Sequence, residues 1–135
     1  QPQRKPTRRR ARIWVRTMNI TGRPIYQKGT KPAVVKAIRD DARDRECTLK
    51  IPGICCRDPA RTVGNHIRLF GISGAAQKPD DVFLLDACDR CHAIFDSRDK
   101  WAEAALGWDD VLCAFMMTIR NRRASGLILL KGEPT

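Results

Sequence analysis

The spacing of its cysteines constrains what this 135-residue chain can fold into more than any other feature. Cys88-Asp89-Arg90-Cys91 is a CxxC pair, and Cys47 with Cys55 supplies a second, wider pair. Four thiolates converging from two separate segments suit tetrahedral Zn²⁺, which takes soft sulfur at ~2.3 Å and has no ligand-field preference. A loop knuckle and a helix start are the usual places for such pairs, because backbone N–H groups there stabilise thiolate charge. A structural Zn²⁺ on Cys47, Cys55, Cys88 and Cys91 would staple a small fold without touching substrate. Cys56 could stand in for Cys55, and Cys113, on an apolar helical stripe, reads as core. Disulfides fit poorly: the first residues hold no apolar leader, and CxxC is a short loop for a structural bridge. A redox CxxC would need a thioredoxin-like βαβ context, which the pattern lacks.

Charge divides the chain sharply. Residues 1–39 carry twelve basic side chains and no acidic ones, whereas residues 40–135 carry 14 basic and 15 acidic. A nearly neutral domain therefore wears a cationic N-terminal arm, Pro- and Arg-rich from Gln1 to Arg12 and expected to be disordered when unbound. Such an arm fits a polyanion, because each Lys or Arg that neutralises a phosphate releases counterions. Nucleic acid is the expected partner. A membrane surface is not, since the arm has no apolar face, and no stretch approaches the ~18 consecutive apolar residues of a span.

The length suits one domain with extra segments. The pattern predicts a largely disordered basic arm over 1–30, a zinc-binding domain over 31–99, and a packing C-terminal segment over 100–135. Ile13-Trp14-Val15 is the first apolar run. Thr30 and Pro32 could open a helix to about Arg45, with Val34, Val35, Ile38 and Ala42 inward. Leu49 to Ile51 and Thr62 to Ile67 read as strands, with Gly64 marking a bulge or a close approach. A polar, Gly-rich loop precedes a buried strand Val82 to Leu85, and a short helix runs from Asp89 to Arg98. From Trp101 the positions Ala105, Trp108, Leu112, Phe115, Met116 and Ile119 recur at helical spacing and read as a core stripe. Gly107 would break that helix, Asp109 could cap its second half, Ser125-Gly126 would end it, and Leu127 to Leu130 would be a terminal strand.

The two histidines complete the pattern. His66 ends a predicted strand in Gly64-Asn65-His66-Ile67-Arg68, and His92 directly follows the CxxC pair. Asp96 lies four residues on from His92, so the two share a helical face. Strand, loop, strand and helix, with a His on the first strand and another on the helix, make a ββα unit.

These residues resemble the HNH branch of the His-Me finger nucleases. Gly64 to Arg68, Asp81-Val82-Phe83-Leu84-Leu85 and Cys88 to His92 carry the likeness. The sequence is more closely similar to the YbcO-like nucleases of phages and prophages, which share the Arg45-Glu46-Cys47, Ile51-Pro52-Gly53-Ile54-Cys55 and His66-Ile67-Arg68 pattern over roughly residues 38–98. The resemblance implies an α+β fold, a zinc-stapled ββα-metal domain with flanking helices, that hydrolyses phosphodiester bonds in DNA. It implies His66 as general base, an imidazole being suited by its free pKa of about 6.5. It implies a catalytic Mg²⁺ or Mn²⁺ at His92, with Asp96 and Asn65 as further ligands, stabilising the leaving oxygen. Asn65 stands where many family members carry Asp or His. Asp81 takes the place of the family's middle Asn, where its carboxylate would accept backbone hydrogen bonds and hold the loop that aims His66. Arg68 and Arg98 would grip neighbouring phosphates, since a guanidinium matches two phosphate oxygens at once.

The expectation is thus a phage or prophage endonuclease acting on DNA in the bacterial cytoplasm, without a membrane anchor or a small-molecule cofactor. Two other readings stand beside it: a non-catalytic zinc-binding nucleic-acid module, and an assembly protein whose arm packs viral DNA. The stripe from Trp101 to Ile119 would serve a dimer interface as well as a core, leaving oligomeric state open.

Overall fold

The computed structural model describes residues 33–68 and 79–134, together with a two-residue antiparallel pairing of β1 (Thr17–Met18) with β2 (Pro24–Ile25). The expected disordered arm, the run Ile13-Trp14-Val15 and most of the Gly-rich loop lie outside the described residues. The other strands and α-helices among the described residues are α1 (Lys36–Asp40), β3 (Thr62–His66), β4 (Leu84–Cys88), α2 (Asp89–Phe95) and α3 (Trp108–Ala124). They make a small α+β fold around an antiparallel pair, β3 with β4, in the register Thr62 to Cys88 and His66 to Leu84. Among the described residues no helix is long and apolar enough to cross a membrane.

β4 is buried along its whole length, because helices and loops cover both its faces. Gly64 permits one of these contacts. A Cβ there would stand 3.3 Å from Leu84 Cδ1, close enough that this side chain would have to shift by a few tenths of an ångström, and 3.6 Å from the Arg39 carbonyl, an ordinary contact with the end of α1. The register through Gly64 is unbroken, so the residue marks a close approach and no bulge. The core runs from Cys47, Leu49 and Ile51 through Leu85 and Ala87 to Phe95, Trp101, Leu106, Val111 and Ala114.

α3 is fastened to β4 by polar groups. Arg122 is fully buried and donates to Asp86 Oδ1 at 3.0 Å and to the Leu84 carbonyl at 3.1 Å. Thr118 Oγ accepts the Asp86 N–H at 3.1 Å, while Thr48 donates to the Asp86 carbonyl from its N–H and its hydroxyl. Burial pushes the Asp86 carboxyl up to about 6 against the pull of Arg122. The group is still ionised at neutral pH, where the guanidinium partners it.

Several expected elements change. α1 covers only Lys36–Asp40, and Val34 and Val35 are exposed. The segment before it is held extended by the loop ahead of β4: the Ala33 carbonyl accepts the Asp81 N–H at 2.8 Å, and the Val35 N–H donates to Asp81 Oδ2 at 2.6 Å. Leu49 and Ile51 are buried but form no strand, because Lys50 takes a left-handed φ of 44° and the backbone turns at once. The second strand begins at Leu84 instead of Val82, since a turn closes first with Phe83 N–H on the Asp80 carbonyl. α2 stops at Phe95, whose carbonyl accepts the Trp101 indole N–H at 3.0 Å as the chain folds back. The helix after Gly107 is capped by Asp110, not Asp109: its carboxylate accepts the Gly107 N–H at 2.8 Å.

The core face of α3 also differs from the expected stripe. Val111, Ala114, Thr118 and Arg122 are inward, while Leu112, Cys113, Met116 and Met117 are exposed, so neither the methionines nor Cys113 are core. Leu127 to Leu130 form no strand. The Gly126 N–H donates to the Arg123 carbonyl and the Leu127 N–H to that of Arg122, a Schellman closure that spends these groups on the helix end.

Removing one partner of the buried pair should be costly and removing both should not. Arg122→Ala is expected to lower unfolding free energy in urea by about 3–5 kcal/mol, leaving Asp86 buried and unpaired. Replacing both groups, Asp86→Leu with Arg122→Met, should recover most of that loss. A double variant as unstable as the single one would show that the pair does more than satisfy itself.

Candidate functional site

Four cysteine sulfurs meet at the junction of β4 and α2. Cys88 is the last residue of β4 and the residue preceding α2, and Cys91 lies in the first turn of that helix. Cys55 ends a knuckle in which the Ile54 and Cys55 N–H groups both return to the Ile51 carbonyl, at 3.2 and 2.9 Å. Gly53 makes this turn possible with a φ of +73°. The Sγ atoms of Cys47, Cys55, Cys88 and Cys91 lie within 4.8 Å of one another, with Cys55 and Cys88 at 3.9 Å, and all are free thiols. A tetrahedron with ~2.3 Å metal–sulfur bonds has sulfur–sulfur edges of roughly 3.8 Å, so the spacing fits an ion at the centre. The electrostatics agree. A hydrogen bond from Cys91 pulls the Cys47 thiol down to about 5, while the same bond, with burial, pushes Cys91 up. Four crowded thiols cannot all ionise without a cation, and together they could hold a metal ion.

Of the two adjacent cysteines, Cys55 faces this cluster. Cys56 instead forms a poorer group with Cys88 and Asp89, its Sγ 3.9 Å from Asp89 Oδ1. Asp89 is already engaged by Arg61, whose Nε donates to it at 3.1 Å.

At the far end of the hairpin stands His66. Its Nε2 lies 3.0 Å from Asp81 Oδ1, and Asp81 is fully buried. The second Asp81 oxygen accepts the Val35 N–H at 2.6 Å and has the Arg39 Nε at 3.8 Å. The carboxylate therefore ties the start of α1 to the end of β3. It also favours the Nε2–H tautomer of the neutral His66 ring, in which Nδ1 is the acceptor nitrogen. Arg39 and the Val35 N–H were not singled out from sequence, where nothing announces which backbone amide a distant carboxylate will meet.

β3 and α2 are comparable in length. The four steps of β3 from Thr62 to His66 span about 13 Å at the usual strand rise, and the seven residues of α2 span about 10 Å. α2 starts beside the Thr62 end, and one bond links the segments that follow α2 and β3: Arg98 Nη2 donates to the Arg68 carbonyl at 3.1 Å. The Arg98 guanidinium also lies 4.2 Å over the Trp101 ring and 4.4 Å over Trp108, and burial lowers its pKa. On α2, His92 Nε2 is 3.0 Å from Asp96 Oδ2. Asn65 is buried, and its Nδ2 has no hydrogen-bond partner among the described residues. Arg68 is exposed. The structure thus brings His66 to Asp81, His92 to Asp96 and Arg98 to Arg68. Among the described residues His66, His92 and Asp96 join no three-membered acid or histidine cluster as tight as the cysteine one.

The family model described as "Putative nuclease YbcO" matches residues 36–125, which hold the knuckle, the hairpin, α2 and α3. The chain belongs to the YbcO family. "Putative nuclease YbcO" of Escherichia coli (strain K12) is 42% identical over 67 residues, half of this chain and 70% of that relative. "Putative nuclease ybcO" of Enterobacteria phage 82 matches with the same identity and coverage. A solved chain described as "Structure of a putative bacteriophage protein from Escherichia coli str. K-12 substr. MG1655" superposes with a TM-score of 0.54 at 32% identity, covering 67% of this chain and all of that one. The YbcO match extends past the expected limit near residue 98 and takes in α3, in keeping with a core that Val111 and Ala114 share with Cys47 and Leu85.

The cluster predicts metal content by residue. The reduced, purified chain should carry one thiolate-bound metal ion, measured by elemental analysis. Cys47→Ser or Cys91→Ser should lose it and melt at lower temperature, while Cys56→Ser and Cys113→Ser should keep it. Loss of metal in Cys56→Ser with retention in Cys55→Ser would reverse the assignment of the two neighbours.

Proposed function

We propose that this chain is a metal-dependent endonuclease of the HNH, His-Me finger class that hydrolyses phosphodiester bonds in DNA. In this reading it is phage or prophage encoded and works in the cytoplasm of the bacterial host. The observation that carries the reading is the His66–Asp81 pair at 3.0 Å, set at the open end of a strand–strand–helix unit in a family described as nuclease.

His66 is the general base. Its Nδ1 takes a proton from the attacking water while Asp81, on Nε2, holds the ring in one tautomer and stabilises the imidazolium that forms. Asp81 can do this without moving, because the Val35 N–H and Arg39 fix its other oxygen. His92, Asp96 and Asn65, the last through its Oδ1, offer the nitrogen and oxygen donors that Mg²⁺ or Mn²⁺ accepts. When bound, that ion supplies charge stabilisation at the leaving oxygen. Arg68 faces solvent and contacts a neighbouring phosphate, with Arg98 behind it offering its remaining N–H groups. Zn²⁺ on Cys47, Cys55, Cys88 and Cys91 is structural, since the register places Cys88 at the end of the hairpin away from His66. The arm over residues 1–30 tracks the DNA backbone, adding affinity without sequence choice.

Plasmid DNA incubated with the protein and Mg²⁺ or Mn²⁺ should be nicked, and EDTA should prevent it. His66→Ala should abolish nicking with fold and cysteine-bound metal retained, and Asp81→Asn should slow it at least about tenfold. Intact DNA with every metal, or equal cleavage by His66→Ala, would replace this reading with that of a non-catalytic zinc-binding nucleic-acid module. The arm makes a separate prediction. Deleting residues 1–12, which hold six basic side chains, should weaken DNA binding most at low salt. If all six meet phosphates, the log–log salt slope should flatten by up to about five. An unchanged slope would remove the arm from the interface.

A further inference from the structure

α3 presents apolar side chains on the face turned away from the core. Val111, Ala114, Thr118 and Arg122 face the core, while on the other side Leu112 is 58% exposed, Met116 58% and Met117 43%. At about 100° per residue the two sets point in nearly opposite directions. The outer set also includes exposed Cys113, and the acid Asp109 and the base Arg120 close it at either end. These six residues line one shallow depression of about 420 Å³. Their spacing of three and four residues is that of a helix-pairing seam.

The order of these residues is self-complementary when reversed. The midpoint between Asp109 and Arg120 is also the midpoint between Leu112 and Met117 and between Cys113 and Met116. We propose that two copies of this chain associate through this face. Their α3 helices pack antiparallel about a two-fold axis that crosses the helix between Ala114 and Phe115. Asp109 then meets Arg120 of the second copy at both ends of the seam, Leu112 meets Met117, and Cys113 meets Met116. Such an isologous contact closes on itself and leaves no surface for further growth. Other occupants match less well. A nucleic acid is repelled by Asp109, and the chain's own N-terminal segment, with twelve basic and no acidic side chains in residues 1–39, is repelled by Arg120.

Charge exchange tests the pairing. Sedimentation of the full chain in reducing buffer, so that Cys113 cannot cross-link, should show a concentration-dependent monomer–dimer equilibrium. Asp109→Arg and Arg120→Asp should each weaken self-association by about tenfold or more, because each sets like charges against each other at both ends. An equimolar mixture of the two variants should associate again, since opposite charges then face at both ends. Thermal melting of each variant checks that the helix still folds. Met116→Lys, at an exposed position, should also dissociate the pair if the Asp109 variant proves unstable. A wild type that stays monomeric, single variants that dimerise like wild type, or a mixture that fails to associate would each overturn the proposal.

Discussion

Four sulfur atoms set the direction of the chain at the point where strand becomes helix. A pair of five-residue strands is marginal in water without further support, and α1 and α2 are each too short to be stable alone. Cys88 ends β4 and Cys91 lies one turn into α2, so gathering both with Cys47 and Cys55 fixes how the helix leaves the strand. The knuckle at Ile51 to Cys55 is bound in the same act. α2 leaves at the Cys88 end of the hairpin, and the bond from Arg98 to the Arg68 carbonyl ties the segment after α2 to the segment after His66. The chemistry proposed at the His66 end thus depends on sulfur gathered at the other.

The second constraint is a buried polar seam. Asp86 in β4 is met by Arg122 and Thr118 from α3 and by Thr48 from the loop after α1, which joins three parts of the chain through one carboxyl and its backbone. A polar contact of this kind specifies one orientation of α3, since any rotation would strand both charges without partners. It also forces the helix to turn its polar stripe inward and Leu112, Met116 and Met117 outward.

This inversion explains where the sequence could be read and where it could not. Cysteines that could hold a metal announce themselves by spacing, because the chemistry needs those residues at short intervals, and the structure gathers the four that were named. The adjacent Cys55 and Cys56 could not be separated without the knuckle's geometry. Histidine positions on a strand and a helix were legible from local pattern; Asp81 was reached only through the family resemblance, and its carboxylate accepts the Val35 N–H and faces His66. Hydrophobic periodicity misled on α3, because that argument takes apolar residues as inward and had no means of seeing Arg122 paired with an aspartate 36 residues away. It misled on α1 for a related reason: backbone bonds to residues 80 and 81 hold Ala33 to Val35 extended whatever their helical spacing suggests.

Metal binding by Cys47, Cys55, Cys88 and Cys91 should be coupled to formation of the hairpin and α2. The direct measurement is a Co²⁺ titration of the metal-free, reduced chain, following visible absorption and circular dichroism together. One equivalent of cobalt is expected in a tetrahedral, all-thiolate environment, with thiolate charge-transfer absorption rising in step with helical signal. A metal-free chain already fully folded, with cobalt bound weakly or in an octahedral, oxygen-rich environment, would contradict it.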